Sequence, residues 1–350
     1  MTLLAGDLGG TKTLLSLCDD RGTPLYTQRV SSSAYSGLAE MVEAFLREPD
    51  ARALPVPTRA AFGVAGPVES LAAPAGQATG DGEQRARITN LHYSIETAEL
   101  RSRCGFARVR LVNDFYAVAA AIAVAATPGA DASAFDLLPL NPAGHADPSG
   151  TVAILGAGTG MGQALIARGP AGPYIIPTEG GHADFSPRDA EEIELLRFLL
   201  QRHPEHVSVE RVLCGAGLLS LYEFYAARDP AAQQPQIHDA LLAARSEAPA
   251  LISQHALAGD DALCGLALQR FVMLYGAEAG NLALKCLATG GVYLAGGIAA
   301  KILPRMTDGV FLHNFTRKGR FGTILKHVPI YLVQNPQIGL LGAAYLAAAL

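Results

Sequence analysis

Leu3-Leu4-Ala5-Gly6-Asp7-Leu8-Gly9-Gly10-Thr11-Lys12 is an apolar strand running directly into a glycine turn that carries one carboxylate, one hydroxyl and one ammonium. Glycines let a backbone turn tightly and bring N–H groups up to phosphate oxygens. Thr11 and Lys12 add donors, and Asp7 can hold Mg²⁺ directly or through water. A plain hairpin turn is the alternative, because motifs this short recur by chance. The phosphate reading therefore needs partners elsewhere in the chain.

A second unit supplies one. Leu155-Gly156-Ala157-Gly158-Thr159-Gly160-Met161-Gly162 again leads an apolar strand into a glycine turn with one threonine. Each turn can present backbone N–H groups and a hydroxyl to one end of a triphosphate, so two such hairpins facing each other can clamp the β and γ phosphates between two domains. Neither has the spacing of a Walker loop. In Val292-Tyr293-Leu294-Ala295-Gly296-Gly297-Ile298 paired glycines close a third strand, where an adenine ring can lie against bare backbone. An ordinary strand-to-helix turn is the competing reading there.

Proton chemistry points to Asn113-Asp114, at the end of an apolar strand. In phosphoryl transfer a carboxylate can orient the attacking hydroxyl and take its proton, while the neighbouring amide bonds other hydroxyls. Asn-Asp is also a common turn pair. Pro177-Thr178-Glu179-Gly180-Gly181-His182-Ala183-Asp184-Phe185 places an acid and an imidazole on either side of two glycines. That donor and acceptor set suits a polyol. A helix-capping His182 or an arginine-paired Glu179 fits the residues equally well. Zinc at His182 is disfavoured, because no cysteine follows before Cys214. Ser186-Pro187-Arg188-Asp189-Ala190-Glu191-Glu192 reads as a helix start with Ser186 as N-cap and structural acids in the first turn, burying Ile193, Leu196, Leu199 and Leu200. Ser208-Val209-Glu210-Arg211 reads as another, with Glu210 by default a first-turn acid.

Composition sets the bounds. The chain has 350 residues, half of them hydrophobic, enough for two domains with sizeable cores. A net charge of −5, with Lys and Arg scattered, gives no basic patch for nucleic acid, so small molecules are the expected partners. No secretory pattern precedes Gly6 and no uncharged run reaches the roughly 18 residues of a membrane span, so a cytoplasmic protein without a membrane is expected. Five cysteines, far apart and without a C-x-x-C pair, are expected to be reduced thiols, with neither a disulfide framework nor structural zinc. Along the chain, strands at 14–18, 25–30, 60–64, 109–112 and 152–155 alternate with an amphipathic helix at 38–47 and a buried one at 115–126. Residues 74–84 read as a loop or hairpin tip, and 128–149 as a surface connection.

Taken in order, GDLGGTK (6–12), FGVAGPV (62–68), ITN (88–90), LVNDF (111–115), GAGTGMG (156–162), EGGHADF (179–185), SVERVLCGAGL (208–218) and LAGGI (294–298) give the chain a family resemblance over nearly its whole length. It resembles the bacterial glucokinases of the hexokinase, Hsp70 and actin superfamily. KGRF (318–321) and NPQIGLLGAA (335–344) also resemble that family's closing segments. The resemblance implies an α/β, two-domain actin-like ATPase (ribonuclease H-like) fold. Its cleft would separate a small domain, 1–115 plus 337–350, from a large one, 116–336. It implies ATP-dependent phosphorylation of D-glucose at the 6-hydroxyl, with Mg²⁺, in a homodimer. By motif position Asp114 would be the base. Asn113, Glu179, His182 and Glu210 would contact other sugar hydroxyls, with Asn90 and Gly66 nearby. Gly6, Asp7, Gly9, Gly10, Thr11, Lys12, Gly156, Gly158, Thr159, Gly160, Gly296 and Gly297 would serve the nucleotide, and Asp7 the metal. The chain departs from the pattern in a longer run at 68–89, in Lys12 where asparagine is common, in the absence of tryptophan near His92-Tyr93, and in lacking the cysteine-rich zinc loop of the related repressor branch. A sugar-responsive regulator without catalysis, or a kinase for another neutral hexose, is the alternative.

Overall fold

A computed structural model describes residues 2–71, 82–88, 92–127, 129–170 and 172–350; Asn90 and most of the 74–84 loop lie outside these. The chain divides into two compact units, one running to Phe135 and resuming at Asn335–Leu350, the other spanning Asp136–Gln334.

The first unit opens with β1 (Leu3–Leu8), β2 (Lys12–Cys18), β3 (Pro24–Ser31), α1 (Leu38–Arg47) and α2 (Pro49–Arg52). It continues through β4 (Arg59–Val64), β5 (Val68–Ser70), β6 (Gln84–Arg87), β7 (Ser94–Glu96), α3 (Thr97–Cys104), β8 (Arg108–Asn113) and α4 (Asp114–Ala125). Its main sheet has the order β3-β2-β1-β4-β8, and a small sheet has the order β5-β6-β7. β1 is antiparallel to β2 and parallel to β4. β1, buried at every residue but Asp7, suits a central strand covered on both faces, whereas β3 is an edge strand of exposed and half-exposed residues. Helix α1 buries Leu38, Met41, Val42 and Phe45, the face its periodicity predicts.

The second unit holds β9 (Leu137–Pro139), β10 (Val152–Ala157), β11 (Met161–Gly169), β12 (Gly172–Thr178), α5 (Ala190–Leu200) and α6 (Gly215–Arg228). After these come α7 (Pro235–Ala244), α8 (Ala248–Ala258), α9 (Ala262–Cys286), β13 (Gly291–Ala295), α10 (Gly297–Lys301), α11 (Leu303–Met306), α12 (Val310–Thr316), α13 (Gly322–Leu325) and β14 (Ile330–Val333). The sheet order is β12-β11-β10-β13-β14-β9. Apart from β9 it repeats the first unit: a meander of three antiparallel strands whose first member continues into two parallel ones. The repeated glycine device of the sequence is thus the β1–β2 turn in one unit and the β10–β11 turn in the other. Among the described residues no helix is long and apolar enough to cross a membrane.

Three expectations change. Residues 128–149 are more than a surface connection, because Leu137–Pro139 pairs with β14 as an edge strand. The helix expected from Ser186 begins instead at Ala190, capped by Asp189, whose carboxylate accepts from the Glu192 N–H at 2.8 Å. Its buried face is Leu195, Leu199 and Glu192, while Ile193 and Leu200 are exposed. Arg270 on α9 draws Asp189, Glu191 and Glu192 inward together, so ion pairing rather than apolar spacing sets the helix's rotation. Glu210 sits in a single 3-10 turn, Val209–Arg211, and the following α-helix starts only at Gly215.

The chain returns to the first unit as α14 (Ile338–Ala348), packed on α4. The first unit therefore runs past Phe115 to include α4, because the small residues of both helices permit close contact. A Cβ at Gly342 would lie 1.7 Å from the Ala117 carbonyl oxygen, a backbone atom that cannot swing aside. Gly342→Ala should force the helices apart and lower stability by roughly 3 kcal/mol, the upper part of the range for overpacking. Urea denaturation measures this, and an unchanged midpoint would contradict the packing.

Candidate active site

In the first unit the β1–β2 turn is closed by the Gly9 N–H donating to the Lys12 carbonyl at 3.1 Å. Thr11 and Lys12 are exposed at its tip, and Gly9 and Gly10 are partly so. Gly6 has no room for a side chain, since a Cβ would fall 2.4 Å from the Phe62 ring. The turn is fastened by Ser32, fully buried, whose hydroxyl donates to the Gly9 carbonyl at 2.7 Å and bonds Thr13 Oγ1 at 3.0 Å. The Ser32 N–H donates to the Thr11 carbonyl at 3.0 Å. Sequence reasoning missed Ser32, because a serine in a run of three serines carries no local mark of a contact to residue 9.

Strands β4 and β8 run parallel, with Val64 opposite Asn113. Asn113 caps α4 by accepting from the Phe115 N–H at 2.9 Å, and its Nδ2 donates to the Gly66 carbonyl at 3.3 Å. The structure thus joins Asn113 and Gly66, and Gly66 must be glycine because a Cβ would meet the Arg87 carbonyl at 2.3 Å. Asp114, the first residue of α4, also accepts from the Phe115 N–H, at 2.8 Å, through Oδ1. Gly63, opposite Asp7 in the sheet, lets α4 approach: a Cβ there would lie 3.1 Å from the Ala117 Cβ on that helix. Asp7 and Asp114 feel each other as a result. Burial first, and the Asp114 carboxylate second, push the Asp7 carboxyl up to about 6. The same carboxylate faces the first turn of α14 at Gly339.

In the second unit Gly158, Thr159 and Gly160 form the β10–β11 turn, closed by the Gly158 N–H donating to the Gly160 carbonyl at 2.8 Å. Gly156 is buried within β10. The Glu210 carboxylate accepts from the Met161 N–H at 2.8 Å and occupies the space that a Cβ on Gly160 would need. A residue read from sequence as a helix-start acid therefore braces the β10–β11 hairpin. Gly296 has φ +94 and stands against the Ala157 backbone, 2.6 Å from a would-be Cβ to the carbonyl oxygen, so both conformation and space require glycine. This brings the third glycine pair, Gly296-Gly297, to the end of the second hairpin. The buried Tyr275 hydroxyl accepts from the Ala157 N–H at 3.3 Å.

Glu179 and His182 bracket a 3-10 turn, Gly180–His182, closed by the His182 N–H donating to the Glu179 carbonyl at 2.9 Å. Both side chains are exposed, and among the described residues none hydrogen-bonds to either. Gly181 lies on β11, where a Cβ would be 2.0 Å from the Met161 carbonyl oxygen. Met161 thus supports both polar elements: its N–H holds Glu210 and its carbonyl seats the Glu179–His182 turn. Among the described residues no group of three or more His, Cys, Asp or Glu side chains gathers as a metal site.

Two repeated sheets, each with a glycine hairpin after its first strand, and a carboxylate opening a helix beside one of them, are the layout of the actin-like ATPase fold. Comparison with known proteins agrees. The sequence profile described as Glucokinase matches residues 4–350. The glucokinase of Nostoc punctiforme is 39% identical over 99% of each chain. The crystal structure of a glucokinase from an Antarctic psychrotroph superposes with a TM-score of 0.79 at 28% identity, covering 100% of this chain and 99% of that one. A ROK-family glucokinase from Streptomyces griseus, solved with glucose and AMPPNP, shares the fold with a TM-score of 0.62 at 18% identity, covering 100% of both chains. The chain belongs to the glucokinase family.

Proposed function

We propose that this protein transfers the γ-phosphoryl group of ATP to the 6-hydroxyl of D-glucose, with Asp114 as the base. The observation that carries the assignment is the Asp114 carboxylate at the first residue of α4, beside the amide of Asn113 and coupled to Asp7. The carboxylate accepts the 6-hydroxyl proton as the oxygen attacks the γ-phosphorus, and the bond to the ADP oxygen breaks. Asn113 bonds a neighbouring hydroxyl with whichever amide capacity its cap leaves free. In the second unit Glu179, His182 and Glu210 accept or donate to further hydroxyls, and in the first Gly66 and Asn90 accompany them. Backbone N–H groups of both hairpins, with Thr11, Lys12 and Thr159, take the phosphates, and Gly296-Gly297 takes the adenine.

The Asp7 carboxylate, half-buried and facing the negative charge of Asp114, is an oxygen ligand whose charge Mg²⁺ completed by water and phosphate oxygens would offset. Asp7 would hold it directly or through water. When bound, the ion supplies charge neutralisation at the β and γ phosphates. We further propose a cytoplasmic homodimer, as the family resemblance implies.

A coupled ADP assay across glucose, mannose, fructose, galactose and N-acetylglucosamine, with ATP compared against polyphosphate, tests donor and acceptor together. ADP formation fastest with glucose supports the proposal. Glucose binding without any ADP would instead indicate a sugar-responsive regulator.

A further inference from the structure

Behind the Glu179–His182 turn the second unit buries a chain of polar side chains that phosphate and sugar contacts leave unused. Gln163 on β11 is 2% exposed and Glu278 on α9 is 6% exposed. Gln163 Nε2 donates to Glu278 Oε1 at 2.9 Å, and Asn281 Nδ2 donates to Glu278 Oε2 at 2.9 Å. Lys318, from the KGRF segment, donates its ammonium to Asn281 Oδ1. A buried carboxylate and a partly buried ammonium are thus joined through one amide rather than in direct contact. The far end of the chain of contacts is the turn itself. The Gln163 amide oxygen lies 2.1 Å from the position of a Cβ on Gly180, so Gly180 rests directly on it. The Gln163 carbonyl accepts from Thr178 Oγ1 at 3.0 Å, and the Gly180 N–H donates to that hydroxyl at 3.3 Å.

A buried charged group held only for stability would be better replaced by packed apolar residues, since desolvation offsets most of the pairing energy. What an amide network adds is direction: Glu278 fixes which way the Gln163 amide faces, and so fixes the surface on which Gly180 sits. The residues flanking the Gly180-Gly181 pair are the candidate sugar ligands Glu179 and His182.

We propose that the Gln163–Glu278–Asn281–Lys318 network is a positioning device for the Glu179–His182 turn and thereby sets the affinity for the hexose. The proposal rests on the reading of Glu179 and His182 as sugar ligands, so the experiment separates the two. Glu179→Gln serves as the control for that reading: it should raise the KM for glucose. Gln163→Leu removes the seat of Gly180, and Asn281→Ala, less disruptive to folding, disconnects Lys318 and takes the donor from Glu278 Oε2. Each should raise the KM for glucose roughly 10- to 100-fold, the usual effect of removing an outer partner that orients a ligand, while the KM for ATP stays within about twofold. Exchanging the two partners in the double variant Gln163→Glu, Glu278→Gln restores an amide-to-carboxylate bond between them and should return the glucose KM most of the way. Variants that lose thermal stability with an unchanged glucose KM, or that raise both KM values alike, would make the network a structural brace and overturn the proposal. A Glu179→Gln variant with normal glucose KM would overturn the sugar reading itself, and this inference with it.

Discussion

Asp114→Asn should lower kcat by roughly 10²- to 10⁴-fold, the range expected when a general base is removed, while glucose binding stays measurable by calorimetry. The substitution is clean in structural terms. An asparagine oxygen can still accept from the Phe115 N–H, as Asp114 Oδ1 does at 2.8 Å, and Asn113 continues to cap α4. What is lost is the capacity to take a proton. A second readout comes from Asp7, whose carboxyl is pushed up in part by Asp114 and should fall toward the ordinary aspartate range in the variant. Turnover within threefold of wild type would remove Asp114 from the role of base.

Asp7→Asn should separate activity from stability. Half-buried near the end of β1, Asp7 has its carboxyl raised from the ordinary 3.8 to about 6 by desolvation and by Asp114. Between those two values the folded chain holds a proton that the unfolded chain has released, so this group makes the ligand-free protein more stable as pH falls from about 6 toward 3.8. Above pH 6 it carries an uncompensated charge that opposes folding. Replacing it by asparagine should therefore raise stability at pH 7 by roughly 1–3 kcal/mol, a gain that fades below pH about 4. Activity should move the other way, falling roughly 10- to 100-fold as a carboxylate serving the metal is lost. Wild-type kcat/KM, which reports the groups of the free enzyme, should likewise decline as pH drops through about 6, because the carboxylate is being protonated. A less stable variant, or a fully active one, would contradict this account; urea denaturation and initial rates at pH 5, 6 and 7 decide it.

Glycine punctuation made much of the candidate site legible. Gly6, Gly66, Gly160 and Gly296 each stand where a Cβ would strike a neighbour, so the residue type itself records the close approach. Asn113-Asp114 was also readable, as a carboxylate and an amide at the end of an apolar strand ahead of a buried helix, but the capping of that helix by Asn113 was not. The start of α5 was not. Ser186-Pro187 carries every local sign of an N-terminus, yet Arg270, far along the chain on α9, ion-pairs with Asp189, Glu191 and Glu192 and moves the helix start to Ala190. Strand β9 was hidden for the same reason: Leu137–Pro139 is short and becomes a strand only by pairing with β14.

Local chemistry is what the sequence by itself determined: two glycine hairpins after apolar strands, a carboxylate at a helix start, an acid and an imidazole around paired glycines, and the family to which their order belongs. Backbone turning and capping act over a few residues, so they leave a mark in consecutive letters. Only the tertiary structure decided that Ser32 fastens the first hairpin, that Glu210 braces the second, and that Gln163 meets Glu278 across 115 positions of sequence. Those contacts depend on which strands and helices become neighbours. Hydrogen bonding is short-ranged in space and indifferent to separation along the chain, so a serine, a glutamine or a buried glutamate acquires its role only when the fold supplies its partner.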